Sequence, residues 1–134
     1  MNSKQKKMAQ YFTKNVNLQD IVYRLILNSP DIILEPCIGR GDLVNYVKIQ
    51  NPNIKFTMYE IDETIDLLDN INSEHVIYGD FLKQNIMNKY ETIIANPPYL
   101  NKKGMRNIYI DFIEKSYNLL DINGELIFIV PSDF

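Results

Sequence analysis

The sequence predicts an α/β domain built on a mostly parallel, doubly wound sheet, and three observations carry that prediction. Short β-branched runs alternate with segments of helical apolar spacing along the 134 residues, which implies parallel strands joined by helical crossovers. Glycine, proline and asparagine clusters punctuate the junctions between these segments, as chain breakers do. Four of the runs are followed at once by polar clusters of unusual composition. Sheets of this kind bind ligands there, beyond the carboxyl ends of their strands.

Taken in order, a polar segment from Asn2 to Lys7 precedes Gln10-Tyr11-Phe12-Thr13. Leu18, Ile21, Val22, Leu25 and Ile26 then recur at the spacing of one helical face, with Asn17 placed as the N-cap and Asn28-Ser29-Pro30 as the stop. Ile32-Ile33-Leu34 reads as a short first strand leading into Glu35-Pro36-Cys37-Ile38-Gly39-Arg40-Gly41-Asp42. Two glycines beyond a strand make a tight loop where backbone can approach a ligand closely. Leu43 to Gln50 is the next helix, broken by Asn51-Pro52-Asn53, and Ile54 to Tyr59 is a second strand ending in Glu60-Ile61-Asp62.

Glu63 to Ile71 carries Ile65, Leu67, Leu68 and Ile71 at a spacing that predicts a short third helix. His75 to Tyr78 is a third strand ending at Gly79-Asp80-Phe81-Leu82. Tyr90 to Ala95 is a fourth strand, stopped by Asn96-Pro97-Pro98-Tyr99. Prolines have fixed φ and no N–H, so this turn presents carbonyl oxygens, a side-chain amide and an aromatic face: an acceptor-rich site for an amine. After the loop from Leu100 to Gly104, Ile108, Tyr109, Phe112, Ile113, Tyr117 and Leu120 mark the strongest helix of the chain, with the aromatics read as packing. Asp121-Ile122-Asn123-Gly124 is a turn, and Glu125 to Val130 a fifth strand that would be left as an exposed apolar edge.

Composition narrows the function. With 46% hydrophobic and 23% charged residues, the chain suits one globular domain with a real core. Its apolar runs are too short to span a membrane, and its basic N-terminus lacks the apolar stretch of a signal peptide, so a soluble cytoplasmic protein is expected. One cysteine, Cys37, and one histidine, His75, exclude a disulfide and a His/Cys metal site. Cys37 reads as a small filler of the loop. A net charge of −3 argues against broad electrostatic binding of nucleic acid. Basic residues do cluster at Lys4, Lys6 and Lys7, and again at Lys102, Lys103 and Arg106, as solvated surface or, for the second cluster, as phosphate contacts.

The four clusters describe a nucleoside pocket. Glu60 stands roughly 20 residues beyond the glycine loop, where dinucleotide folds place a carboxylate on ribose hydroxyls, with Asp62 as its competitor. Asp80 can accept a hydrogen bond from an adenine amino group while Phe81 packs on the ring. The carboxylates Glu35 and Asp42, which flank the glycine loop, would repel a pyrophosphate and suit a cationic ligand. S-adenosyl-L-methionine, with its ribose, adenine, sulfonium and amino group, satisfies each feature.

With these residues in view, the chain resembles the N-terminal part of the catalytic domain of the adenine-N6 DNA methyltransferases of the Asn-Pro-Pro-Tyr type. The resemblance implies a Rossmann-like class I methyltransferase fold, with five strands visible and the C-terminal strands missing from a single domain over residues 1–134. Gln10 to Thr13 resembles the segment that helps hold the methionine part of the cofactor, which implies roles for Tyr11 and Thr13. Glu35, Pro36, Gly39 and Gly41 resemble the cofactor loop, Glu60 with Ile61 the ribose-binding position, and Asp80-Phe81 the adenine-binding pair. Asn96, Pro97, Pro98 and Tyr99 match the catalytic motif in full. The resemblance implies that the Asn96 side-chain oxygen and the Pro97 carbonyl each accept an amino hydrogen of a flipped-out adenine while Tyr99 stacks on the base, with no metal. Lys14 and Ala9 depart from the family's frequent proline and glycine. The family's last strands and target-recognition region have no counterpart here, which implies completion by a C-terminal region or a second polypeptide. Transfer to RNA adenine or to a protein glutamine, and a non-catalytic cofactor-binding fragment, stay open as alternatives.

Overall fold

A computed structural model describes residues 13–99 and 107–132. Among them, five strands form one all-parallel sheet in the order β3-β2-β1-β4-β5. The strands are β1 (Ile32–Glu35), β2 (Lys55–Glu60), β3 (Val76–Tyr78), β4 (Tyr90–Ala95) and β5 (Leu120–Phe128). Three helices flank them: α1 (Val16–Leu25), α2 (Asp42–Gln50) and α3 (Ile108–Asn118). Adjacent residues in the central strands face opposite ways, as strand geometry dictates. Ile33 and Ile94 pack with Val22 of α1 and Val47 of α2 on one face, while Leu34 and Ile93 pack with Phe112 of α3 on the other. Both faces of β1 and β4 are therefore covered, the condition under which parallel sheets occur. The chain runs outward from β1 to β2 and β3, then returns to place β4 on the other side of β1. Strand order thus reverses between β1 and β4, whose carboxyl ends carry the glycine loop and the Asn-Pro-Pro-Tyr turn.

Several elements differ from the sequence expectation for identifiable reasons. The N-cap of α1 is Asn15, whose side chain accepts from the Leu18 N–H at 3.2 Å, two residues earlier than the expected Asn17. The third helix, expected over Glu63 to Ile71, is absent: this segment is a series of turns. Its backbone finds partners elsewhere, because Asp62 caps the Thr64 N–H at 2.9 Å and the Leu68 N–H reaches the Arg40 carbonyl at 2.9 Å. Leu67, Leu68 and Ile71 pack beneath the glycine loop with Ile38, Val44 and Met58. Helical spacing therefore recorded burial under a loop, and nine residues are too few to hold a helix alone. Tyr117 is 68% exposed and is not core, whereas Tyr109 and Phe112 are buried. The turn Asp121–Gly124 is absorbed as an irregularity within β5, whose ladder pairs Leu120 with Tyr90 and Glu125 with Thr92.

The path of the glycine loop requires that Gly41 lack a side chain. Its φ is +97°, and a Cβ there would stand 2.6 Å from Ile71 Cγ1. Gly41→Ala is therefore expected to lower stability by about 1–3 kcal/mol, since it combines a left-handed backbone with a clash. Chemical denaturation checks this; an unchanged midpoint would mean that Ile71 moves aside without cost.

Candidate active site

The strand ends converge on one cleft of about 630 Å3, counted to its open mouth. Pro36, Cys37 and Gly39 line it from the β1 loop, Glu60, Ile61 and Ile65 from the end of β2, Gly79, Asp80 and Phe81 from the end of β3, and Asn96 and Pro98 from the end of β4. Ile108 and Phe112 of α3 complete the wall. Of the residues singled out in the sequence, eight therefore border the cleft: Pro36, Gly39, Glu60, Ile61, Asp80, Phe81, Asn96 and Pro98. Glu35, Gly41, Thr13, Pro97 and Tyr99 are not among its lining residues. Tyr11 lies outside the described residues, as do Lys4, Lys6 and Lys7 and the cluster Lys102, Lys103 and Arg106.

Two buried carboxylates hold the glycine loop. Glu35 is 2% exposed, and its Oε1 accepts the Cys37 N–H at 2.9 Å. Burial pushes its carboxyl up to about 8, and the neighbouring Glu60 charge pushes the same way. Glu60 accepts the Gly39 N–H at 2.8 Å on one oxygen and the Asp62 N–H at 2.9 Å on the other. Burial raises its pKa too, against the lowering effect of those two bonds. Unlike diffuse surface acids, these are desolvated groups whose ionisation a cation or a set of hydroxyl donors would favour. Asp42 does not share this role. The structure pairs it with Arg40 at 3.0 Å, away from the cleft lining, so the acidity of the loop rests on Glu35 and Glu60.

Asp80 caps a 3-10 turn, Phe81–Lys83, by accepting the Leu82 N–H at 3.0 Å. Phe81 is 2% exposed, stacked on Phe112 with ring centroids 5.6 Å apart and set edge-on to Tyr59 at 5.4 Å. It is thus a core ring that borders the cleft. Lys115 of α3 donates to the carbonyls of Phe81 and Gln84, and its ammonium lies 5.0 Å over the Phe81 ring. Burial lowers its pKa, opposed by the charge of Asp80. α3 therefore both roofs the cleft and clamps the turn that presents Asp80. Lys115→Met keeps the apolar stem and removes the clamp, so a cofactor held at this end is expected to bind about 5- to 10-fold more weakly. Calorimetric titration with S-adenosylmethionine checks this, and unchanged affinity would make Lys115 a surface cation only.

The Asn-Pro-Pro-Tyr motif begins at the residue after β4, which ends at Ala95. Asn96 is 7% exposed; its Nδ2 donates to Thr13 Oγ1 at 2.9 Å and its Oδ1 lies 2.8 Å from the Tyr99 hydroxyl. The same hydroxyl is 3.0 Å from the Ile129 carbonyl, and the Tyr99 ring meets Tyr109 edge-on at 5.9 Å. Cys37 bridges the two strand ends, its Sγ 3.8 Å from the Asn96 carbonyl oxygen. Burial, with Glu35 and Glu60 adding to it, pushes this thiol up, in keeping with an inert filler.

Sequence reasoning missed Ile65, Ile108 and Phe112 as cleft residues, and Lys115 as the support of the turn that follows Asp80. The spacing of Ile108 and Phe112 was legible as a buried helix face, but nothing in that spacing says that its upper end borders a cleft.

The profile of the Eco57I restriction-modification methylase family matches residues 7–134. Type II methyltransferase M.AccI of Acinetobacter calcoaceticus is 30% identical over 96% of this chain, and Type II methyltransferase M.HincII of Haemophilus influenzae 29% identical over 98%. The chain spans 29% of the length of each. A Listeria monocytogenes crystal structure described as a class I S-adenosylmethionine-dependent methyltransferase superposes with a TM-score of 0.70, covering 93% of this chain and 48% of that one at 15% identity. The fold is the Rossmann-like class I methyltransferase fold. Among the described residues no helix is long and apolar enough to cross a membrane, and no group of His, Cys, Asp and Glu could hold a metal ion. Motif, topology and family profile agree, and the chain belongs to the Eco57I restriction-modification methylase family.

Proposed function

We propose that these residues form the cofactor-binding and catalytic part of a site-specific DNA methyltransferase that acts on adenine N6. The observation that carries this reading is the position of Asn96: it stands at the end of β4, across the strand-order reversal from the acid-anchored glycine loop, with its amide held from both ends. The matched family is one of restriction-modification methylases by name, and the relatives named above are Type II methyltransferases, which supports DNA as the substrate.

The donor and acceptor set of the cleft fits S-adenosyl-L-methionine. Glu60 offers carboxylate acceptors for ribose hydroxyls, Asp80 an acceptor for an adenine amino group, and Ile61, Ile65 and Phe81 an apolar wall for a ring. Glu35, desolvated behind the loop, would hold a cationic amino group. When bound, the cofactor supplies an electrophilic methyl group on a sulfonium. The exocyclic nitrogen that receives it is a poor nucleophile, because its lone pair is conjugated into the ring. Asn96 Oδ1 and the Pro97 carbonyl act by accepting the two amino hydrogens, which draws the nitrogen toward a tetrahedral geometry and localises the pair. So held, the nitrogen would take the methyl group that a bound cofactor supplies, with the sulfur as leaving group, and the surplus proton would leave to solvent. Tyr99 lies beside Asn96, and its role in this reading is to stack on a base that has been flipped out of the duplex. Target-sequence recognition is assigned in this reading to polypeptide beyond these 134 residues, in the same chain or in a second one.

Incubation with methyl-tritiated cofactor and, separately, duplex DNA, RNA and release-factor protein tests this reading. Label in DNA is expected; label confined to RNA or to protein would overturn the substrate assignment.

A further inference from the structure

Gln19 is a buried polar side chain on a helix that otherwise buries only Val22 among its described residues. A buried amide is costly unless bonded. Its Nε2 donates to the carbonyl of Thr13, which is itself 6% exposed. Thr13 in turn accepts the Asn96 Nδ2–H at 2.9 Å. A chain of buried bonds thus runs from α1 through Thr13 to the catalytic amide and on to Tyr99.

We infer that Thr13 is a positioning residue for Asn96, and that Gln19 serves it by fixing the main chain on which the Thr13 hydroxyl is mounted. This inference rests on the catalytic role proposed for Asn96, and it gives Thr13 a task different from the cofactor contact that the sequence resemblance implies. An asparagine side chain can turn over so that oxygen and nitrogen exchange places. Which end accepts the target's hydrogen therefore depends on its neighbours. With Nδ2 engaged by Thr13, Oδ1 occupies the opposite end of the amide, 2.8 Å from the Tyr99 hydroxyl. Valine has the shape of threonine with a methyl in place of the hydroxyl. In Thr13→Val the Tyr99 hydroxyl, which can accept as well as donate, becomes a partner for Nδ2, and the amide turns an N–H toward the position that needs an acceptor.

The expected result is that Thr13→Val lowers kcat by about 10- to 100-fold, the scale of a misplaced catalytic group, with the dissociation constant for S-adenosylmethionine unchanged. Thr13→Ser, which keeps the hydroxyl, restores kcat. Gln19→Leu lowers kcat in the same direction and by less. A rise in the cofactor dissociation constant that accounts for the whole loss would overturn the inference, as would equal activity of the valine and serine variants. A second readout does not depend on the substrate: the Asn96 side-chain amide signals in a 15N-correlated spectrum, assigned by their loss in Asn96→Asp. They are expected to shift in Thr13→Val and to stay in place in Thr13→Ser. Shifts with no DNA methylation by the parent protein would refute the substrate reading and uphold the positioning; absence of shifts would refute the positioning.

Discussion

Asn96→Ala is expected to reduce methyl transfer by about 10^2- to 10^3-fold, the scale seen when one preorganised polar contact to a developing charge is removed, while S-adenosylmethionine binds as before. The side chain is 7% exposed, and Thr13 and Tyr99 are among its hydrogen-bond partners. The Tyr99 hydroxyl left behind keeps the Ile129 carbonyl, 3.0 Å away, as a partner. The fold should therefore lose only about 1–2 kcal/mol. Single-turnover kinetics with equilibrium cofactor titration separates the two effects. Affinity that falls in parallel with rate would place Asn96 in the cofactor site instead.

The second large effect is electrostatic. Glu35 keeps its proton in the native state until about pH 8, whereas a solvated glutamate loses it near 4.5. Between those values the native state binds a proton that the unfolded state lacks. Stability is therefore fully present below pH 4.5 and is lost as pH rises toward 8, at up to about 1.4 kcal/mol per pH unit for one proton. Glu60 is shifted in the same direction, so Glu35→Gln should flatten this slope without removing it. A cationic ligand group beside Glu35 favours the ionised form. Cofactor binding should accordingly release a proton and tighten from pH 6 to 8 in the parent protein, and bind more weakly with a flatter pH dependence in Glu35→Gln. Denaturation at a series of pH values, with calorimetry in buffers of different ionisation enthalpy, checks both. A cofactor affinity independent of pH in the parent protein would show that Glu35 does not face the ligand's charge.

Much of this site was legible because its residues are local to strand ends. A β-branched run followed by a proline pair or a glycine loop announces both a strand and its carboxyl end, and a parallel sheet brings such ends together without further information. Five strands, the strand-end residues Glu60, Asp80 and Asn96, and the alternation of faces at Ile33 and Leu34 all follow from short-range pattern. The errors arose where long-range contacts decide. Leu67, Leu68 and Ile71 look helical in sequence, yet the carbonyl of Arg40 and the bare Cα of Gly41 draw them into turns. Asp42 looks like a cleft acid, but Arg40 neutralises it. Lys115 and Gln19 support the site from helices whose own periodicity says nothing of the carbonyls they reach, Phe81 and Gln84 for one and Thr13 for the other. Such contacts connect residues far apart in sequence and leave no local mark.

The central claim is that the amine received beside Asn96 is adenine N6, and the identity of the methylated atom tests it most directly. After reaction of duplex DNA with cofactor carrying a deuterated methyl group, digestion to nucleosides and mass spectrometry should find the label in N6-methyladenine, and Asn96→Ala should remove it. A label found on cytosine or on another atom of adenine, or a label that persists undiminished in Asn96→Ala, would contradict the account.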